Sequence, residues 1–126
     1  MIKELDKTDV MVSSAGIPSP LANAVRTIVQ VARPDKIILF GSYSAGTHNA
    51  GSDYDLLVLK KNLKDQRKLV QNIYLHFKNI GAPVDVLALD LDRFAELKDD
   101  PYLIYYEADK NGKVIYEKHP ESKGMA

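Results

Sequence analysis

The chain has no cysteine. That excludes disulfide scaffolds, thiolate metal centres, cysteine nucleophiles and CxxC redox chemistry. It also has no net charge, because seventeen basic residues balance seventeen acidic ones. A dedicated DNA-binding module usually carries a clear positive excess, so direct nucleic-acid binding is not expected. No apolar run approaches membrane-spanning length, so no membrane partner is expected. Met1-Ile2-Lys3-Glu4-Leu5-Asp6 is too charged to open a signal peptide. Internal repeats, low-complexity tracts and a GxGxxG fingerprint are missing too. What remains is 126 residues, 45% hydrophobic and 27% charged, the profile of one cytoplasmic globular domain. Such a chain can build a core without disulfides or a structural metal. We expect a single domain over residues 1–126 with its core at 18–117, a loose N-terminal helix or arm, and a frayed tail from Lys118.

Pro18-Ser19-Pro20 opens the first clear pattern. Ser19 is a good N-cap, and Pro20 suits the first helical position, where a missing N–H costs nothing. Leu21, Ala24, Val25, Ile28, Val29 and Ala32 then recur at three-four spacing, predicting an amphipathic helix that Pro34 ends. Ile37-Ile38-Leu39-Phe40 reads as a strand buried on both faces. Gly41 to Ser52 reads as a functional loop with at most a short helical turn. Leu56 to Leu59 is a second strand and Val84 to Leu89 a third. Between them, Asn62 is the expected cap of a helix carrying Leu69, Val70, Ile73, Tyr74, Phe77 and Ile80, with Gly81 closing it. Asp90 is expected to cap a short helix through Phe94 and Leu97. Asp100-Pro101 should start another, carrying Tyr102, Leu103, Tyr105 and Tyr106. Asn111-Gly112 reads as a turn before a last strand at Val114-Ile115-Tyr116. The order predicts an α/β (α+β) fold, a small mixed sheet flanked by helices.

Aspartate is depleted in strands, yet Asp53 and Asp55 stand at the entrance to the second strand and Asp85 inside the third. Side chains alternate along a strand, so Asp53 and Asp55 point to one face. If the strands are neighbours, three carboxylates converge. Their mutual repulsion then needs compensation. Mg²⁺ supplies it with hard oxygen ligands, its shell completed by waters and substrate phosphates. Gly41-Ser42 directly follows the first strand, where glycine allows a sharp turn; if a helical turn begins there, its N–H groups and the Ser42 hydroxyl suit an anion. A phosphate-holding turn beside a two-metal carboxylate cluster is what in-line phosphoryl or nucleotidyl transfer needs. For these pieces to meet, the first two strands must run antiparallel, and the third must run parallel to the second. Taken singly, Asp-x-Asp is more often a turn or cap, Asp85 a solvated edge residue, and Gly-Ser uninformative. The combination, in order and each at a strand, reverses that weighting. Gly41 to Gly46 mimics half of a P-loop, but Thr47-His48 follow where Lys-Ser/Thr is required, so that reading is rejected.

Gly41-Ser42, ten intervening residues and Asp53-Tyr54-Asp55-Leu56-Leu57-Val58 match the GS-x10-D-x-D signature of the DNA polymerase beta-like nucleotidyltransferases. The Ser52-Asp53-Tyr54-Asp55-Leu56-Leu57-Val58 form resembles the smallest branch, the minimal nucleotidyltransferases. Pro83-Val84-Asp85-Val86-Leu87 resembles the strand bearing the third carboxylate, and Asn111 to Glu117 the branch's usual close. The resemblance runs from about Leu21 to Glu117. It implies a nucleotidyltransferase fold that moves a nucleoside monophosphate, usually from ATP with Mg²⁺. Many minimal members are antitoxins paired with a HEPN-domain ribonuclease toxin, and some adenylylate a toxin tyrosine. By this match Asp53 and Asp55 would hold both metal ions. Asp85 would hold one and help deprotonate the attacking hydroxyl, and Gly41 and Ser42 would hold the nucleotide phosphates. Ala45 stands where relatives often carry arginine, so a charge beside the departing pyrophosphate is missing there.

Other features read more plainly. Tyr102, Tyr105 and Tyr106 fall at helical spacing, as a half-buried face or a partner interface. Lys60, Lys61, Lys64, Arg67 and Lys68 form a basic cluster, ordinarily a solvated face; docking of an acidic partner or a tRNA-like substrate stays open. His48 fits a solvated loop position, and His76 and His119 lack metal-ligand spacing. Beside the enzyme stand two alternatives: a binding module that neutralises its partner by contact, and an aminoglycoside-type small-molecule transferase. The second is weakened because the chain is short for an added substrate domain. Assembly with itself or with another protein is left open.

Overall fold

The computed structural model describes residues 9–10, 18–41 and 53–118. The elements in chain order are β1 (Asp9–Val10), α1 (Ser19–Ala32), β2 (Lys36–Phe40), β3 (Tyr54–Lys60), α2 (Gln66–His76), β4 (Val84–Asp90), α3 (Leu91–Leu97), α4 (Ile104–Asn111) and β5 (Lys113–Lys118). They form a five-stranded sheet in the order β1-β5-β2-β3-β4. β2 runs antiparallel to β3, and β4 runs parallel to β3. This is the mixed topology the aspartate placement requires. β4 is one edge of the sheet and the two-residue β1 the other.

Each face of the sheet carries its own core. All six expected positions of α1 are buried, and they pack with Ile73 of α2 on Ile37, Leu39, Leu56, Val58 and Val86. On the opposite face Phe94 of α3 and Ala108 of α4 cover Ile38, Phe40, Leu57, Leu59 and Leu89. β2 is therefore buried on both sides, as its unbroken apolar run demands. Asp53, Asp55, Leu57 and Leu59 alternate onto the face of α3 and α4.

Four boundaries differ from expectation. Ser19 lies inside α1 rather than capping it: Pro18 is extended at φ −61°, ψ 149°, and no side chain caps the helix. Two prolines already fix this entry, and the backbone N–H of Ala22 donates to the Pro18 carbonyl at 3.0 Å. Asn62 sits in a turn at φ 60°, so the cap of α2 is Asp65, whose side chain accepts from the Lys68 N–H at 3.0 Å. α2 ends at His76, well before Gly81, because Phe77 is extended and Asn79 and Gly81 are left-handed at φ 52° and 101°. Phe77 and Ile80 pack on the core from the following loop instead. The last helix starts at Ile104, not at Asp100: Asp100 accepts from the Tyr102 N–H at 3.0 Å, closing a turn that leaves Tyr102 92% exposed.

The expected N-terminal helix or arm contains strand β1, which pairs Asp9 with Lys118 and Val10 with Glu117. The other residues of that stretch and the tail beyond Lys118 lie outside the described residues. Asp90 caps α3 as expected, accepting from Asp92 and Arg93 at 3.0 and 3.2 Å. Among the described residues no helix is long and apolar enough to cross a membrane.

Candidate active site

Register brings the site together. Phe40, the last residue of β2, lies opposite Asp55 on β3, and Asp55 lies opposite Asp85 on β4. Gly41 is thereby carried against the Asp55 carboxylate, and a Cβ at this position would collide with Asp55 Oδ2. The backbone there turns at φ +76°, a conformation only glycine adopts without cost. Asp53 comes near enough to Asp85 for its negative charge to raise the Asp85 carboxyl. Asp53, Asp55 and Asp85 thus gather at one end of the sheet, where the sequence pattern predicts them. Ser42, Ala45 and His48 lie outside the described residues.

Two of the carboxyls are electrostatically uncomfortable. Burial pushes the Asp55 carboxyl above its ordinary range, and the charges of Asp85 and then Asp53 push it further. Asp85 is raised by burial first, then by the charge of Asp53. The cavity beside them, about 570 Å³, is lined by Phe40, Gly41, Asp55, Tyr74, Asp85, Val86, Leu87, Ile104 and Glu107. No lysine, arginine or histidine is among those described residues.

This donor set fits a divalent cation. It offers hard carboxylate oxygens, with charge that none of the described lining residues balances. Among the described residues no group of three or more aspartate, glutamate or histidine side chains is placed to hold a metal ion by itself. The arrangement is instead an open carboxylate edge, which suits Mg²⁺ because waters and phosphate oxygens complete its shell.

Sequence reasoning missed two residues at this cavity. Glu107 of α4 is half-buried and accepts from Asn111 Nδ2 at 3.1 Å. Its only sequence signal is an acid within the tyrosine-bearing helix, indistinguishable from a solvated position. Tyr74 reads as an apolar helix position, yet it is 42% exposed, and its hydroxyl accepts from the Val86 N–H at 2.8 Å. Its phenol thereby shields an amide on the edge of the sheet.

A family model described as "Polymerase beta, Nucleotidyltransferase" matches residues 23–121. The chain is 28% identical over 96 residues to the protein adenylyltransferase MntA of Aphanizomenon flos-aquae, which is 75% of this chain and 64% of MntA. It is 51% identical over 45 residues to MJ1305 of Methanocaldococcus jannaschii, 32% of this chain and 31% of that protein. The chain thus spans less than two thirds of the length of these curated relatives. A toxin–antitoxin crystal structure with AMP-PNP is similar at 25% identity and a TM-score of 0.46, covering 74% of this chain and 70% of that one.

Proposed function

The chain belongs to the polymerase beta nucleotidyltransferase family, and from that premise we propose that it transfers AMP from ATP to a hydroxyl of a protein partner. The observation that carries the reading is the in-register pairing of Asp55 with Asp85, beside Gly41 and within reach of the Asp53 charge. Similarity to MntA, named a protein adenylyltransferase, supports a polypeptide acceptor. The partner that the sequence resemblance suggests is a HEPN-domain ribonuclease toxin, with this chain as its cytoplasmic antitoxin. We read residues 1–126 as a single domain with its core at 18–117.

Asp53 and Asp55 would hold two Mg²⁺ ions and Asp85 one of them. Bound there, the ions would neutralise the triphosphate and stabilise charge developing on the attacking and leaving oxygens. Gly41 and Ser42 hold the phosphates with backbone N–H groups and a hydroxyl, and the bare Gly41 Cα lets them lie close to Asp55. The acceptor oxygen attacks the α-phosphorus, the bond to the β-phosphate bridging oxygen breaks, and pyrophosphate departs. Asp85 Oδ takes the proton of the hydroxyl.

Position-specific labelling tests this directly. With Mg²⁺ and ATP labelled on the α-phosphate, the label should appear in tyrosine-, serine- or threonine-bearing polypeptides as pyrophosphate is released. Label transferred from the γ-phosphate instead would make the protein a kinase and end the reading.

A further inference from the structure

In-line transfer gives the site a direction. Across the sheet, Gly41 follows β2, Asp55 stands on β3 and Asp85 on β4, and among the described residues no further strand lies beyond β4. Attacking and leaving oxygens lie on opposite sides of the phosphorus. With the departing phosphates at Gly41, the hydroxyl must enter from the β4 edge, past Asp85.

That edge carries a trough. The cavity at the carboxylates shares Tyr74, Val86 and Leu87 with a second cavity of about 380 Å³. The second cavity continues to Ala88, Tyr105 and Val70 and ends at Gln66 and Arg67. Tyr74 and Leu87 are 42% and 38% exposed, so large apolar groups stand open along the path. Among the described residues lining it Arg67 is the single cation, opposite in sign to the carboxylate end. Because Tyr74 already occupies the Val86 N–H, indiscriminate strand pairing is blunted, and a bound segment is gripped through its side chains.

We propose that this trough seats the acceptor segment, an extended stretch of partner polypeptide whose hydroxyl residue is followed by apolar side chains and then an acidic one at Arg67. The proposal rests on the adenylyl-transfer reading. Arg67 and Tyr74 are seven residues apart on α2, or about 10 Å at 1.5 Å per residue. An extended peptide at about 3.3 Å per residue covers that span in three, and the hydroxyl sits beyond Tyr74 at Asp85, so the acid lies about four residues from it. A nucleic-acid strand would want repeated phosphate contacts along its length, and one arginine does not supply them.

The test uses the full chain and short fluorescent peptides, each with one tyrosine. The peptides carry glutamate or lysine about four positions away, across apolar or glycine spacers. An RNA oligonucleotide with a free terminal hydroxyl is the competitor. Fluorescence anisotropy without nucleotide reads the trough, calorimetry with Mg²⁺-ATP reads the nucleotide site, and labelling reads transfer. The glutamate peptide with an apolar spacer should bind and label best. Arg67→Glu should weaken that binding about fivefold, the upper range for an exposed charge pair, and favour the lysine peptide instead. Mg²⁺-ATP binding should not change in this variant. Equal binding of all peptides, indifference to Arg67→Glu, or faster labelling of the RNA would overturn the trough. Loss of Mg²⁺-ATP binding by the unmodified chain would instead strike the transfer reading, while the anisotropy still scores the peptides.

Discussion

Strand β4 carries an aspartate near each end, and their surroundings have opposite sign. Asp85, at its second position, faces Asp53 and Asp55, and its carboxyl is pushed up by burial and by the Asp53 charge. Asp90, at the last position, is held below the usual range, first by the Leu63 N–H at 2.9 Å and then by the N–H groups of Arg93, Asp92 and Asn62. Asp90 ties the end of β4 to the start of α3 and to the loop after β3. Folding gains from its charge. Asp85 gains nothing from folding as a bare anion, which fits the proposal that its charge serves a bound cation. The contrast separates structural from functional aspartates better than exposure does, since both are at least partly exposed.

The largest effect should come from breaking the functional end. Asp85→Asn should cut AMP transfer at least about a hundredfold, since changes beside metal ligands alone cost metal sites about 10- to 100-fold. Its metal-free unfolding temperature in chelator should hold or rise, because a repulsion is removed. Gly41→Ala comes next. An L-residue at φ +76° costs about 1–2 kcal/mol, and the new methyl meets the Asp55 carboxylate. Urea unfolding should record that loss, with weaker Mg²⁺-ATP affinity in the fraction that folds. Asp90→Ala is smaller in function and opposite in kind: melting should fall by a few degrees while Mg²⁺-ATP affinity is retained.

The subtlest difference lies in pH. For Asp90, whose folded pKa is depressed, the stabilisation is present above the ordinary value of 3.8 and is lost as pH falls through the folded pKa. The gap between the unmodified chain and Asp90→Ala should therefore close on acidification below 3.8. For Asp85, whose folded pKa is raised, native stability is greatest below 3.8 and is lost as pH rises through the folded pKa. The advantage of metal-free Asp85→Asn should appear near neutrality and fade toward pH 3.8. Both are read from denaturation midpoints across pH in chelator.

What was legible in the sequence follows the same division. Asp53, Asp55 and Asp85 were readable because a carboxylate in a strand is anomalous on its own, and their meeting dictated the mixed topology that β2, β3 and β4 adopt. The face of α1 was readable because six apolar residues repeat at helical spacing and all are buried. Caps were less so. Asn62 and Asp65 are both good capping residues three positions apart, and only the backbone conformation decides between them. Gly81 looked like a helix end, but the left-handed Asn79 and extended Phe77 stop α2 earlier. Glu107 and Tyr74 were illegible as cavity residues, because their place depends on how α4 and α2 pack against the sheet rather than on local pattern.

The central claim is that Asp53, Asp55 and Asp85 are gathered for a metal-bound nucleotide. Calorimetric titration of the full chain with ATP tests it most directly, with and without Mg²⁺, beside the Asp53→Asn/Asp55→Asn double variant. The account predicts binding that requires both the metal and the two aspartates. Equal affinity in the double variant, or in chelator, would contradict it.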